Sequence, residues 1–88
     1  MEFEFDPRKA DSNLRKHRVA FDEAMTALLD PHALANEDPD APDESRWVLV
    51  GRSAEGHLLT VVYTLRGENV RLISARRATA REERSYAQ

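Results

Sequence analysis

Eighty-eight residues without a cysteine make one small domain with a thin core, and exclude disulfides, thiolate metal sites and a cysteine nucleophile. The acidic opening Met1-Glu2-Phe3-Glu4-Phe5-Asp6 lacks the basic start of a signal peptide, and no apolar run approaches the length of a membrane span, so a soluble cytoplasmic protein without a membrane partner is expected. The net charge of −3 hides a split: residues 1–45 hold five Lys/Arg against twelve Asp/Glu, residues 46–88 eight Arg against four Glu, which makes the second half a candidate surface for a polyanion.

Phe3 and Phe5 flank Glu4 in the alternation of a short first strand. Asp6-Pro7 then reads as an N-cap followed by proline at the first helical position. The helix is expected to run to about His17, with Ala10 and Leu14 as its apolar stripe and Lys16-His17-Arg18 complementing the carbonyl end of its dipole. Phe21, Ala24, Met25, Leu28 and Leu29 recur at the spacing of one helical face, and Asp30-Pro31 stops this second, core-packing helix. After a short extended piece at His32-Ala33-Leu34-Ala35, residues 36–45 read as an exposed acidic loop broken twice by proline. Its five carboxylates lack the glycine turn and terminal glutamate of a calcium loop, so no metal is assigned to it.

Arg46–Arg52 is the next strand, Ser53–Gly56 a turn, and His57–Leu65 a strand rich in β-branched and aromatic residues. Arg66-Gly67-Glu68-Asn69 turns the chain into a last strand that ends at Arg76-Arg77-Ala78. With Gly67-Glu68 central to the hairpin, Leu65 pairs with Val70, Tyr63 with Leu72 and Leu59 with Arg76 on the face that takes the helices, while Arg71 and Arg77 share the flatter one. Thr79 and Glu82 form a capping-box pattern that opens a polar last helix through Tyr86. The expectation is therefore a single α+β domain over residues 1–88: an antiparallel sheet of about four strands, two N-terminal helices and a short C-terminal one.

His17, His32 and His57 lie in separate elements without metal-ligand spacing, and neither a glycine-rich phosphate loop nor a nucleophile elbow is present, so no cofactor is expected. What remains is arginine with a few acid–base groups. Cleavage of RNA by its own 2′-hydroxyl needs no more: one group takes the hydroxyl proton, cations stabilise the charge growing on phosphorus, and another group protonates the departing 5′ oxygen. Arg66, Arg71, Arg76 and Arg77 are candidates for holding phosphate, and Glu82, Tyr86 and His17 for moving protons, although Glu82 is equally explained as a capping residue and Tyr86 as an aromatic anchor.

Phe3-Glu4-Phe5-Asp6-Pro7 with Lys9-Ala10 and Asn13, Lys16-His17, Val19, Phe21, Glu23-Ala24, Asp30-Pro31, and Ile73-Ser74-Ala75-Arg76-Arg77-Ala78 with Glu82 and Tyr86 together resemble the BrnT family of bacterial toxins. The resemblance implies a RelE-like fold, ribonuclease activity that arrests translation, and neutralisation by a BrnA-type ribbon-helix-helix antitoxin, through which alone the complex contacts operator DNA. By position it points to Lys16, His17, Arg76, Glu82 and Tyr86, and more loosely to Arg52 and Arg66. Three residues depart from the pattern: Phe5 stands where tryptophan is usual, Arg18 where a glycine follows Lys-His, and Ala20 where a serine often caps the second helix. The resulting expectation is a metal-independent endoribonuclease with Arg76 and Arg66 on the phosphorane, Lys16, Arg52, Arg71 and Arg77 binding RNA, and a hetero-oligomer formed with the antitoxin. The alternative is a non-catalytic module that only binds its antitoxin in operon control.

Overall fold

The computed structural model describes residues 1–40 and 45–88. In chain order these form β1 (Phe3–Glu4), α1 (Pro7–His17), α2 (Phe21–Leu28), β2 (Leu34–Asp38), β3 (Arg46–Arg52), β4 (Leu58–Arg66), β5 (Asn69–Arg77) and α3 (Ala80–Tyr86). The strands make one sheet in the order β1-β5-β4-β3-β2, with β1 parallel to β5 and every other pair antiparallel. The α+β class stands, but the sheet has five described strands and is mixed, where about four antiparallel ones were expected. The extra strand is β2, and the parallel pair is β1 with β5. Residues 36–38, read as loop, continue the extended piece and pair with β3, Asn36 opposite Val48 and Asp38 opposite Arg46. Asparagine and aspartate disfavour strands locally, but β3 supplies the ladder, and a charged edge strand resists adding another chain. Ala41, Pro42, Asp43 and Glu44 of the expected loop lie outside the described residues.

Helix α1 begins as its sequence dictates: the Asp6 carboxylate accepts the Arg8 amide at 2.9 Å and proline takes the first turn. It ends at Arg18, which itself adopts the left-handed conformation, φ 60°, and returns its amide to the Leu14 carbonyl at 2.9 Å. The glycine usual at this position is thus replaced without losing the cap, at a cost of about 1 kcal/mol for a residue that carries a Cβ. Leu14, expected on the buried stripe, is 47 % exposed. The buried α1 side chain is Asn13, whose amide nitrogen donates to the carbonyls of Val19 and Ala75, both at 2.9 Å, and whose oxygen accepts the Ala75 amide at 3.0 Å. Because β1 covers β5 only at Val70 and Arg71, Asn13 stands in for a strand neighbour on the open edge beyond it.

Val19, Phe21, Ala24 and Ala27 pack on Leu59, Val61, Leu72 and Ala75 to form the core, which Phe5 extends by an edge-on contact with Phe21 at 5.4 Å. A Cβ on Gly51 would lie 2.6 Å from the Ala27 carbonyl, so the bare glycine is what lets the end of α2 sit against β3.

The hairpin β4–β5 starts in the expected register, Leu65 opposite Val70 and Tyr63 opposite Leu72, and then departs from it. Val62 opposes Ser74, which leaves Ile73 as the extra residue of a β-bulge, and from there Thr60 opposes Arg76 and Leu59 opposes Arg77. One inserted residue exchanges the faces of everything after it. Arg76, expected on the helix-covered face, therefore joins Arg71 on the opposite face, and Arg77, expected beside Arg71, moves to the face of α1 and α2.

Candidate active site

Helix α3 crosses the face of the sheet opposite α1 and α2, and its first turn is fixed by a complete capping box. Thr79 Oγ1 accepts the Glu82 amide at 3.2 Å while Glu82 Oε1 accepts the Thr79 amide at 2.8 Å. The same carboxylate takes a two-pronged bond from Arg76, Nη1 to Oε1 at 2.8 Å and Nη2 to Oε2 at 3.0 Å, and a third donor in Thr60 Oγ1 at 2.9 Å. Thr60 is fully buried beneath the helix, whereas the Arg76 side chain keeps 42 % of its surface open to solvent. The Arg76 hydrogen bonds, joined by those from Thr79 and Thr60, outweigh partial burial and hold the Glu82 carboxyl down at about 2, while the same pairing raises Arg76. Near neutral pH the rim of the sheet thus carries a fixed cation whose fork is occupied by a fixed anion.

One helical turn further on, Tyr86 sits on the same side of α3 as Glu82. Its hydroxyl donates to Asp30 Oδ2 at 2.6 Å, and the Arg52 guanidinium lies 5.6 Å from the ring centroid while donating to the Gly56 carbonyl at 3.1 Å. Asp30 also accepts the amides of Arg52 at 2.7 Å and His32 at 2.9 Å. Burial pushes the Asp30 carboxyl up, but the bonds from Tyr86, Arg52 and His32 together hold it below its ordinary range; reciprocally, the Asp30 carboxylate pushes the Tyr86 phenol up. Asp30 was visible in the sequence only as the stop of the second helix. No local pattern marks it as the acceptor that anchors the far end of α3.

The remaining candidates divide by place. Arg71, opposite Thr64, faces the same way as Arg76 and touches Glu4 at 3.4 Å. Arg66 pairs with Asn69 at the far end of β4, six positions from the Thr60–Arg76 row, or about 20 Å along the strand. The structure therefore does not bring Arg66 and Arg76 to one phosphate. Lys16 and His17 line a depression of about 210 Å³ at the outer edge of β5 with Ile73 and Ser74, on the far side of that strand from Thr60. Arg77 is exposed on the helix-covered face. What comes together is Arg76, Glu82 and Thr60 at one end of α3, and Tyr86, Arg52 and Asp30 at the other.

A family model described as the ribonuclease toxin BrnT of type II toxin–antitoxin systems matches residues 5–82. No curated protein matches the chain. Among solved structures, the crystal structure of the Brucella abortus ribonuclease toxin BrnT aligns with 90 % of this chain and 97 % of its own at a TM-score of 0.65 and 23 % identity, a likeness of fold. The length of the family match, with the α+β architecture that agrees with it, identifies the chain as a member of the BrnT family, the ribonuclease toxins of type II toxin–antitoxin systems.

Proposed function

We propose that this ribonuclease cleaves RNA by metal-independent acid–base chemistry at the rim where β5 meets α3. The observation that carries the reading is the two-pronged Arg76–Glu82 pair. A phosphate of the RNA competes with the Glu82 carboxylate for the Arg76 fork, whose planar donors suit either anion. As it does so, Glu82 loses the contact that depresses it most and returns toward its ordinary 4.5, becoming a better proton acceptor as the substrate arrives. It takes the 2′-hydroxyl proton, the 2′ oxygen attacks phosphorus, and Arg76 stabilises the phosphorane. Tyr86 turns its hydroxyl proton from Asp30 to the departing 5′ oxygen, and Arg52 over its ring offsets the cost that the Asp30 carboxylate imposes on the phenolate left behind. The products are a 2′,3′-cyclic phosphate and a 5′-hydroxyl end. Arg71 and Arg66, further along the open face, bind flanking phosphates, with Lys16 and Arg77 adding charge at the edge. In this reading His17 has no part in proton transfer at Arg76.

The partner we propose is a BrnA-type ribbon-helix-helix antitoxin, in a cytoplasmic complex that reaches operator DNA only through that protein. A groove of about 340 Å³ between α3 and the β2–β3 pair, with Leu34, Val48 and Val50 on its floor and Arg81 and Glu82 on its wall, supports a partner that covers the open face.

The test is cleavage of RNA by the purified chain in excess chelator, beside Arg76→Ala. The wild type is expected to cut and the variant to be slower by about 10²–10³-fold, the range for losing one transition-state donor. Equal rates in the two proteins, or activity abolished by chelator, would contradict the mechanism, and absence of cleavage by both would favour the module that only binds its antitoxin.

A further inference from the structure

Away from α3, the chain gathers a second group of polar side chains that plays no part in the chemistry above. The turn between β3 and β4 is closed by backbone bonds from Ser53 to the His57 carbonyl at 2.8 Å and from Gly56 to the Ser53 carbonyl at 2.9 Å, with Gly56 at φ 87°. That closure sets Glu55 and His57 against Glu23 in the first turn of α2. His57 Nδ1 lies 2.7 Å from Glu23 Oε2, and the nearly buried Ser53 hydroxyl donates to the same oxygen at 2.6 Å. The Glu55 carboxylate completes the set: one ligand atom from each of Glu23, Glu55 and His57 falls within 4.8 Å of the other two.

Two carboxylates this close repel one another, and His57 can offset at most one of their charges. Arg52, the last residue before the turn, gives its guanidinium to the Gly56 carbonyl and the Tyr86 ring instead. A divalent ion with bonds of about 2.0–2.2 Å to nitrogen and oxygen needs its ligand atoms roughly 3–3.5 Å apart, so the three groups close around one by shifts of a few tenths of an ångström up to about 1 Å. Glu23 is already oriented by Ser53, which serves as the outer hydrogen bond that keeps a ligating carboxylate in place. One imidazole and two carboxylates select a borderline transition ion over calcium or magnesium.

We propose that Glu23, Glu55 and His57 form a binding site for a divalent transition-metal ion, Zn²⁺ foremost, with solvent filling the remaining position on the exposed Glu55 side. The ion ties the β3–β4 turn to α2 and so fixes the turn that directly follows Arg52. None of the three ligands is a proton-transfer group, but the turn they hold carries Gly56, whose carbonyl takes the Arg52 guanidinium.

Calorimetry of ZnCl₂ with the chelator-stripped full chain tests this, with thermal melts of the same samples. One ion per chain is expected to bind and raise the melting temperature, and both Glu55→Gln and His57→Gln to weaken binding at least tenfold. Glu55 is exposed, so its variant folds normally and separates ligand loss from unfolding. His32→Gln and His17→Gln are expected to bind as the wild type does. No binding, binding undiminished in either Glu55→Gln or His57→Gln, or binding lost in His32→Gln or His17→Gln would overturn the site. Cleavage that persists in chelator while Zn²⁺ binding is absent would sink this proposal and leave the RNA mechanism standing.

Discussion

The Arg76–Glu82 contact serves two ends that a single residue type could not. As the third residue of α3 and the far member of its capping box, Glu82 helps begin the helix; as the partner of Arg76, it fastens that helix to the sheet. Its folded carboxyl titrates near 2 against an ordinary 4.5, so the stability it contributes is complete above about pH 4.5 and is lost as the pH falls toward 2. Thermal melts between pH 7 and pH 3 should show the wild type losing melting temperature faster than Glu82→Gln below pH 5. Parallel loss in the two proteins would show that the pair contributes nothing measurable. Asn13 makes a comparable point inside the fold. Its three backbone partners explain why a polar residue occupies the buried face of α1, which the apolar pattern Ala10–Leu14 could not reveal because the group it satisfies lies 62 residues away.

Among the elements, those whose signals are local were legible. The Asp6-Pro7 start of α1, the spacing of Phe21, Ala24, Met25 and Leu28 along α2, the Gly67-Glu68 turn and the Thr79/Glu82 capping box all depend on residues within a turn or two of one another, whereas Leu29, expected on the same face of α2, caps that helix and is 64 % exposed. The bulge at Ile73 and the strand character of Asn36–Asp38 were not legible, because each is decided by what the neighbouring strand presents. The bulge matters most for the proposed site: without it the Arg76 side chain points into the helix layer, and with it the arginine faces Thr60 and α3. The candidate site was accordingly half visible. Arg76, Glu82 and Tyr86 could be named from the sequence, whereas their grouping, and the Asp30 and Thr60 partners, follow from register and crossing. Arg18 offers a test of local strain at this scale. Arg18→Gly places a residue suited to φ 60° at the end of α1 and is expected to raise stability by about 1 kcal/mol, read as a shift in denaturation midpoint at unchanged slope. An unchanged or lowered midpoint would mean that the arginine side chain compensates its backbone.

At the scale of the whole molecule, the two faces of the sheet divide the labour. Helices α1 and α2 bury the apolar core on one side. On the other, α3 has no buried residue of its own and is held by Glu82, Tyr86 and the cap, polar contacts with which the RNA of the proposed mechanism would exchange. The charge split visible in the sequence reappears here, since Arg52, Arg66, Arg71 and Arg76 all belong to β3, β4 and β5. Among the described residues no helix is long and apolar enough to cross a membrane. In the mechanism we propose, the arginines of this face differ in kind, Arg76 acting on the transition state and Arg66 on binding alone. Steady-state cleavage of RNA in chelator by the wild type, Arg76→Ala and Arg66→Ala decides it. Arg76→Ala is expected to lose about 10²–10³-fold in kcat with little change in KM, while Arg66→Ala raises KM and keeps kcat; a KM effect alone at Arg76, or an equal fall in kcat at Arg66, would overturn the mechanism.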